Sequence, residues 1–377
     1  MWDGYGGFTR CESGRRSRSL TGAVAAAAIA SAIQTALVSA KASGQLLIRF
    51  EDSLASRRAA VAATVGPPGE FARRFDVAVD IDLLRTGPRW LELTTPDGRV
   101  LEAERSVFED RGCGDALWAG RVRGRPLETV LFTLHGDHLI GTYGEPGRFK
   151  FELTARRGAG TVTEGGPEAP GRPELRECEA RPPPGAPGVR GPPLAAPGIS
   201  SNSRAPAGVA ARQTSDPPHR LDVLVLYNAA ASDYWTVSDA AAVQAAVDYT
   251  NSVYRNGNLG ATLHLAHAAP APPELSTAAR SGRDWLDPIN EHAAVKLLRE
   301  THEADVVILF THDDSSWTRC GAAYLRSKDH TAETMSPWAF GFANLACDDS
   351  NRSANSVFAH EIGHVLGGNH DPEGGAP

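Results

Sequence analysis

The strongest constraint on the fold of this chain is the spacing of three histidines near its carboxyl end. His360 and His364 are four residues apart, and His370 follows after two glycines in the segment HEIGHVLGGNHD. Side chains four residues apart share one face of an α-helix, so the first two histidines predict a helix over about residues 354–366. The glycines permit the backbone to turn after that helix. The segment therefore predicts a helix followed by a turn that brings His370 beside the other two imidazoles.

Three imidazoles that converge in this way match the ligand set of catalytic zinc, which takes three protein ligands and leaves a position for water. We therefore expect Zn²⁺ as the cofactor, bound by His360, His364 and His370. Glu361 adjoins the first ligand and is the predicted general base. The metal would lower the pKa of the bound water to about 7, and Glu361 would take its proton before attack on a peptide carbonyl.

Other residues of the same segment are predicted to support this site. Gly367 is expected to have a structural part in the turn, and Asp371 directly follows the third histidine. That position suits a supporting carboxylate better than a fourth ligand. Phe358 and Ile362 lie on the helix face roughly opposite the histidines, so we expect that face to pack against the domain.

The amino terminus is typical of an export signal. Four arginines between residues 10 and 18 precede an uncharged, alanine-rich run over residues 20–40, and Ala40-Lys41-Ala42 fits a small-x-small cleavage site. The alternative is a membrane anchor, but the run contains Ser, Thr and Gln and is weakly apolar for a span of about 20 residues. We predict a signal peptide over residues 1–42, a secreted protein, and no stable membrane insertion after cleavage.

Composition divides the rest of the chain into three parts. Residues 43–155 alternate apolar and polar side chains and predict a small β-rich domain, whereas residues 156–219 are rich in Gly, Pro, Ala and Arg and predict a linker. Residues 220–377 predict an α/β domain with a mostly parallel sheet, because apolar strand patterns alternate with helical ones. The net charge of −7, without basic blocks interleaved with aromatic residues, does not favour a nucleic-acid partner.

Within the α/β domain the apolar runs place individual elements. A strand is predicted at Leu221–Tyr227, a helix from Ser238 to about Tyr254, a strand at Thr262–His267 and a helix at Pro288–Thr301. Further strands are predicted at Ala304–Phe310, Gly321–Leu325 and Ala339–Leu345.

The motif HExxHxxGxxHD resembles the metzincin clan of zinc peptidases, and its final Asp is similar to the reprolysin (adamalysin) type. Four further segments resemble bacterial reprolysin-like enzymes, including the peptidyl-Asp metalloendopeptidases, in order and spacing: LDVLVLYNAAA, TNSVYRNGNLGATLHLAH, ADVVILF and CGAAYL. The resemblance covers about residue 220 to the end, and a segment within residues 117–153 resembles the propeptide that precedes such domains.

This resemblance implies a zincin-like catalytic domain with an antiparallel edge strand, preceded by a β-rich pro-domain. It implies the three histidine ligands and the general base Glu361, and it suggests a disulfide between Cys320 and Cys347. It also suggests that an extended substrate lies along the edge strand formed by Gly321, Ala322, Ala323, Tyr324 and Leu325. A strand edge has a physical basis for binding peptides, because its unpaired backbone groups accept one more strand.

One departure from the family concerns methionine. The family has a Met-containing turn after the third histidine, whereas both methionines of this chain, Met1 and Met335, precede the motif and seven residues follow His370. We therefore expect a sequence that is incomplete at its carboxyl end and lacks the C-terminal subdomain. The alternative is an open, inactive site.

Four cysteines, Cys113, Cys178, Cys320 and Cys347, follow the predicted signal peptide, an even number that suits disulfides in an exported protein. Three pairings are possible, and the one that keeps Cys320 with Cys347 is favoured because both lie in the α/β domain. A free thiolate of Cys113 or Cys178 could instead cap the metal and hold the enzyme latent. The alternative for these two is a disulfide with each other.

The sequence thus predicts a secreted, zinc-dependent endopeptidase that acts on proteins or peptides. The competing hypotheses are a non-catalytic secreted zinc-binding or adhesion module and an inactive truncated fragment, since either could keep the histidines without turnover.

Overall fold

The computed structural model describes residues 45–52, 73–145, 149–165, 178–183, 219–276, 285–312, 320–327, 330–347 and 356–370. The chain divides into two compact units, residues 1–170 and 171–377, each with its own hydrophobic core. The predicted signal peptide, residues 1–42, lies outside the described residues.

The first unit contains one ten-stranded sheet. Its strands are β1 (Gln45–Leu46), β2 (Ile48–Phe50), β3 (Arg73–Val79), β4 (Trp90–Thr94), β5 (Val100–Gly112), β6 (Asp115–Val122), β7 (Thr129–His135), β8 (His138–Glu145), β9 (Phe149–Arg156) and β10 (Ala159–Gly165), with a short helix, α1 (Ile81–Arg85), between β3 and β4. The strand order is β1-β4-β5-β6-β7-β8-β9-β10-β3-β2. Only the β1–β4 pair is parallel among the described pairs of this sheet.

Alternation of side chains determines which face of this sheet is buried. In β3 the side chains of Phe75, Val77 and Val79 are buried, and the residues between them are exposed. Successive side chains of a strand point to opposite faces, so the alternation that predicted a β-rich domain also identifies its core side.

The predicted linker, residues 156–219, differs from the structure in two places, because β10 and β11 (Cys178–Arg181) lie within it. The β9–β10 turn has positive φ angles at Arg157 and Gly158, 53° and 83°, as a two-residue hairpin turn requires. Strand β10 pairs with both β9 and β3, and its Val162 is fully buried. Pairing on both sides makes this segment a strand, although its composition alone predicts no regular secondary structure.

The second unit has a six-stranded mixed sheet. Besides β11, its strands are β12 (His219–Tyr227), β13 (Ala261–Pro270), β14 (Val306–Thr311), β15 (Gly321–Tyr324) and β16 (Phe340–Asn344), in the order β11-β15-β16-β14-β12-β13. Its helices are α2 (Ala229–Tyr234), α3 (Asp239–Asn256), α4 (Pro273–Ser276), α5 (Leu286–Glu291), α6 (Ala293–Thr301), α7 (Ala332–Met335) and α8 (Ser356–Val365). The chain therefore has the mixed α/β architecture that the alternating patterns predict.

Two details of the second unit differ from the predictions. Strand β15 is antiparallel to β16, but it is not the edge of the sheet, because β11 pairs with its other side in the parallel sense. The predicted helix at Pro288–Thr301 is two helices, α5 and α6, because the backbone of His292 between them is extended, with φ −71° and ψ 118°. The break between α5 and α6 has no Gly or Pro at residues 291–293 that would have predicted it.

The centre of this sheet is buried on both faces. All six residues of β14 are buried, and so are all five of β16. Helix α3 begins at Ser238, whose side chain accepts a hydrogen bond from the backbone N–H of Ala241, as its predicted capping role requires. Its Val243 and Val247 belong to the same core as β14.

Truncating a central side chain of this sheet is expected to destabilise the second unit. Phe342 is fully buried in β16, so Phe342→Ala should lower the free energy of unfolding by about 3–5 kcal/mol. Leu297 on α6 is 63% exposed, and Leu297→Ala should change it by less than about 0.5 kcal/mol. Denaturant unfolding of both variants checks the prediction, and losses of equal size would contradict the assigned core.

Candidate metal and catalytic site

Helix α8 is held in place by contacts on one face and one backbone group. The ring of Phe358 stacks on that of Phe310 in β14, with centroids 5.2 Å apart and an interplanar angle of 18°. Phe358 and Ile362 are fully buried, as the helical pattern predicts. The hydroxyl of Tyr254 on α3 donates a hydrogen bond of 3.0 Å to the carbonyl oxygen of Ala359. These contacts leave the opposite face of α8 available for the histidines.

The three predicted ligands come together at the end of this helix. The Nε2 atom of His360 lies 3.0 Å from Nε2 of His364 and 3.1 Å from Nε2 of His370. One potential ligand atom from each of the three residues lies within 4.8 Å of the other two. Three nitrogens at about 2.0–2.1 Å from one tetrahedral ion would be separated by about 3.3 Å. The cluster therefore fits a single ion with three imidazole ligands.

The turn after α8 has the backbone geometry that the sequence predicts. Gly367 has a φ of +103°, a conformation that favours glycine, and its N–H donates to the carbonyl of His364 at 2.9 Å. The Nδ1 atom of His364 lies 2.7 Å from the carbonyl oxygen of Gly368. In the tautomer protonated at Nδ1 this ring donates to that carbonyl, which leaves the Nε2 lone pair directed at the cluster.

Burial favours the neutral form of two of these imidazoles, His360 and His364. It lowers the pKa of His360 to about 4, with smaller contributions from the neighbouring His364 and His370. The pKa of His364 is also lowered, mainly by burial, although its hydrogen bond to Gly368 acts in the opposite direction. A neutral imidazole is the form that binds a metal, so the local environment favours the ligand form of both side chains.

Glu361 lies where α8 meets the start of β15. Its side chain is fully buried, and a Cβ atom placed on Gly321 would lie only 2.3 Å from its Oε1 atom. The same Cβ would lie 2.7 Å from the carbonyl oxygen of Phe342, so a larger residue fits at Gly321 only if the carboxylate and the backbone of β16 both move. The predicted general base and the first residue of the predicted substrate strand are therefore in direct contact.

The structure adds one residue that sequence reasoning did not connect with the site, Tyr254, which supports α8 from a position 105 residues before Ala359. It also adds a role for Gly321, which was predicted only as part of the substrate strand and which makes room for Glu361. Local sequence signals show neither role, because both arise from contacts between distant segments. Asp371, predicted as a supporting carboxylate, lies outside the described residues.

Comparison with known proteins gives a family match over much of the second unit. Residues 240–371 match the model of metallo-peptidase family M12B, reprolysin-like. This segment is a reprolysin-like metallopeptidase domain. The chain is accordingly a zinc metalloendopeptidase.

A curated relative of this peptidase comes from Xanthomonas campestris pv. campestris and is named peptidyl-Asp metalloendopeptidase. It is 25% identical over 359 residues, which cover 88% of this chain and 78% of the relative. Its extent indicates that the similarity includes the unit that precedes the peptidase domain.

Two solved structures resemble the peptidase more remotely. Metalloproteinase-II from Bacteroides fragilis has a TM-score of 0.42 and 8% identity, with 75% of this chain and 81% of that chain covered. A chain in a structure of a chaperone-substrate complex has a TM-score of 0.32 and 17% identity, with 40% of this chain and 24% of that chain covered.

Two cysteines of the peptidase are disulfide-bonded, Cys113 and Cys320. The cysteine with which each one pairs stays a prediction. A bonded Cys113 has no free thiolate. If Cys320 pairs with Cys347 as predicted, Cys178 is the remaining cysteine after residue 42, which favours the disulfide alternative over latency. Among the described helices, none is both long and apolar enough to cross a membrane.

Adding one methyl group at Gly321 is expected to displace Glu361, the predicted general base. Gly321→Ala should lower peptidase activity by roughly 10²-fold, since small displacements of catalytic groups are costly, while bound zinc is retained. A Cβ on Gly363 has no neighbour closer than 4.0 Å, so Gly363→Ala serves as the control and should keep the stability of the fold. Peptide hydrolysis and zinc content of both variants check this, and full activity of Gly321→Ala would contradict the assigned contact.

Peptide mapping without reduction is expected to recover Cys320 joined to Cys347. Cys320 directly precedes Gly321, which opposes Ala343 in the β15–β16 ladder, and Cys347 follows Ala343 by four residues. A peptide joining Cys320 to Cys178 instead would contradict the pairing.

Proposed function

We propose that this chain is a secreted endopeptidase in which His360, His364 and His370 bind Zn²⁺ and Glu361 is the general base. The observation that supports this most strongly is the convergence of the three Nε2 atoms at the end of α8. The lowered pKa values of His360 and His364 suit metal binding, because both imidazoles stay neutral at physiological pH.

When bound, zinc polarises the substrate carbonyl and makes water a stronger acid. The chain's own residues supply the remaining steps. Glu361 accepts a proton from the attacking water and returns it to the leaving amine, which is the usual role of a buried carboxylate beside the reacting groups. Gly321 is a positioning residue, because its lack of a side chain fixes where that carboxylate lies.

We further propose that substrates are proteins or peptides that bind in extended form along Gly321–Leu325. The backbone of a strand binds another strand through its unpaired N–H and C=O groups. In this structure β11 takes that position along β15. A substrate strand would therefore replace β11, which makes residues 178–181 part of the region that controls access.

The proposal extends to the organisation of the chain. Residues 1–42 would direct export, residues 43–155 would be a pro-domain, and the segment up to residue 219 would join it to the peptidase domain.

The competing function is a zinc-binding module without turnover. It would use the same three histidines, so metal content alone does not separate the two hypotheses. Turnover that depends on Glu361 separates the two hypotheses, because a module that only binds zinc needs no general base.

Casein hydrolysis by the purified chain is expected to depend on Glu361 and on zinc. Glu361→Ala should lower the rate by about 10²–10⁴-fold while zinc remains, and His364→Ala should lose both. Each protein is assayed before and after limited trypsin treatment followed by trypsin inhibition, so that latency does not hide activity.

Glu300→Ala is the matched control, because Glu300 is an exposed acid on α6. It should retain both activity and zinc. One equivalent of zinc without hydrolysis in the treated wild-type chain would contradict the enzyme and favour the binding module.

A further inference from the structure

The outer side of β15 is occupied along its whole length. Strand β11 runs parallel to it in four register pairs, from Cys178 opposite Gly321 to Arg181 opposite Tyr324. The N–H of Leu325 also donates to the carbonyl of Arg181 at 2.8 Å. The structure therefore shows what kind of peptide strand this edge accepts.

The last residue pair of this ladder, Arg181 opposite Tyr324, shares a contact with the carboxylate of Asp287. Nη1 of Arg181 lies 3.0 Å from Oδ2 of Asp287 in the first turn of α5, and the hydroxyl of Tyr324 donates to Oδ1 at 2.6 Å. Each oxygen of Asp287 thus has its own partner. One partner belongs to β15 itself, and the other belongs to the strand that covers it.

Asp287 is positioned by the second unit without help from Arg181. Tyr324 is 1% exposed, and its ring packs edge-on against that of Trp338, with centroids 5.3 Å apart. Burial raises the pKa of Tyr324, so its hydroxyl stays a donor. The adjacent Leu286 is fully buried and fixes the start of α5. The Asp287 carboxylate is half exposed and faces the covering strand.

We propose that Asp287, oriented by Tyr324, is a recognition site for a cationic side chain, Arg or Lys, of the peptide strand that adds to β15. Arg181 fills this site in the present structure. Directly opposed residues of neighbouring strands have side chains on the same face of the sheet, in parallel and antiparallel pairs alike. A strand residue opposite Tyr324 therefore has its side chain on the face of the sheet where the Tyr324 hydroxyl meets Asp287.

This inference rests on the proposed function, since it names the side chain that a substrate strand would carry. A cation is favoured because one oxygen of Asp287 already accepts from Tyr324 and the other is directed at the strand. A partly exposed charged pair of this kind should favour a cationic over a neutral side chain by roughly two- to fivefold in affinity.

The test uses two labelled peptides, Ser-Glu-Ala-Arg-Pro-Pro and the same sequence with citrulline in place of arginine. They copy residues 178–183 with Ser for Cys178, and citrulline keeps the shape of arginine without its charge. The full chain carries Glu361→Ala to prevent turnover and Arg181→Gln to weaken the internal occupant. Fluorescence anisotropy measures the affinity ratio of the two peptides in this protein and after adding Asp287→Asn or Glu291→Gln.

The arginine peptide should bind about two- to fivefold more tightly than the citrulline peptide. Asp287→Asn should reduce this ratio to about one, whereas the exposed Glu291 on the same helix is the charge-matched control and Glu291→Gln should keep it. Both peptides are measured on the same variant. A substitution that changes how easily any peptide reaches β15 therefore affects both affinities equally and leaves their ratio unchanged.

Equal affinities, a preference that survives Asp287→Asn, or no binding of either peptide would overturn the proposal. Since the assay requires no hydrolysis, its failure is distinct from loss of casein activity, which tests the proposed function.

Discussion

The close approach of α8 to the first residue of β15 is the constraint on which the rest of the site depends. Glu361 and Gly321 meet at a distance that excludes even a methyl group. On the other side of α8, the stacking of Phe358 on Phe310 presses the helix onto the sheet. With the helix fixed in this way, the positions of the histidines and of the strand beside them follow.

This packing also determines the electrostatics of the site. Removing His360 and His364 from water disfavours their charged forms, and lowered pKa values result. A metal site made from these residues requires little rearrangement, because their Nε2 atoms already converge and burial favours the neutral form of His360 and His364.

Local spacing predicted the parts of the site that lie within one segment. The four-residue interval between His360 and His364 and the glycines after them predicted the helix, and α8 ends at Val365 as expected. The strand patterns at Leu221–Tyr227 and Ala304–Phe310 correspond to β12 and β14. The pairing of β11 with β15 could not be predicted, because residues 178–181 lie in a Pro- and Gly-rich composition. The contact of Arg181 with Asp287 spans 106 residues and has no periodic signal.

X-ray absorption spectroscopy at the zinc edge tests the central claim, a single zinc ion on three histidines, most directly. The account predicts one zinc per full-length chain, with three imidazole nitrogens at about 2.0–2.1 Å, and the loss of one of these nitrogens, with weaker binding, in His370→Ala. No bound zinc, or an unchanged set of three imidazoles in His370→Ala, would contradict it.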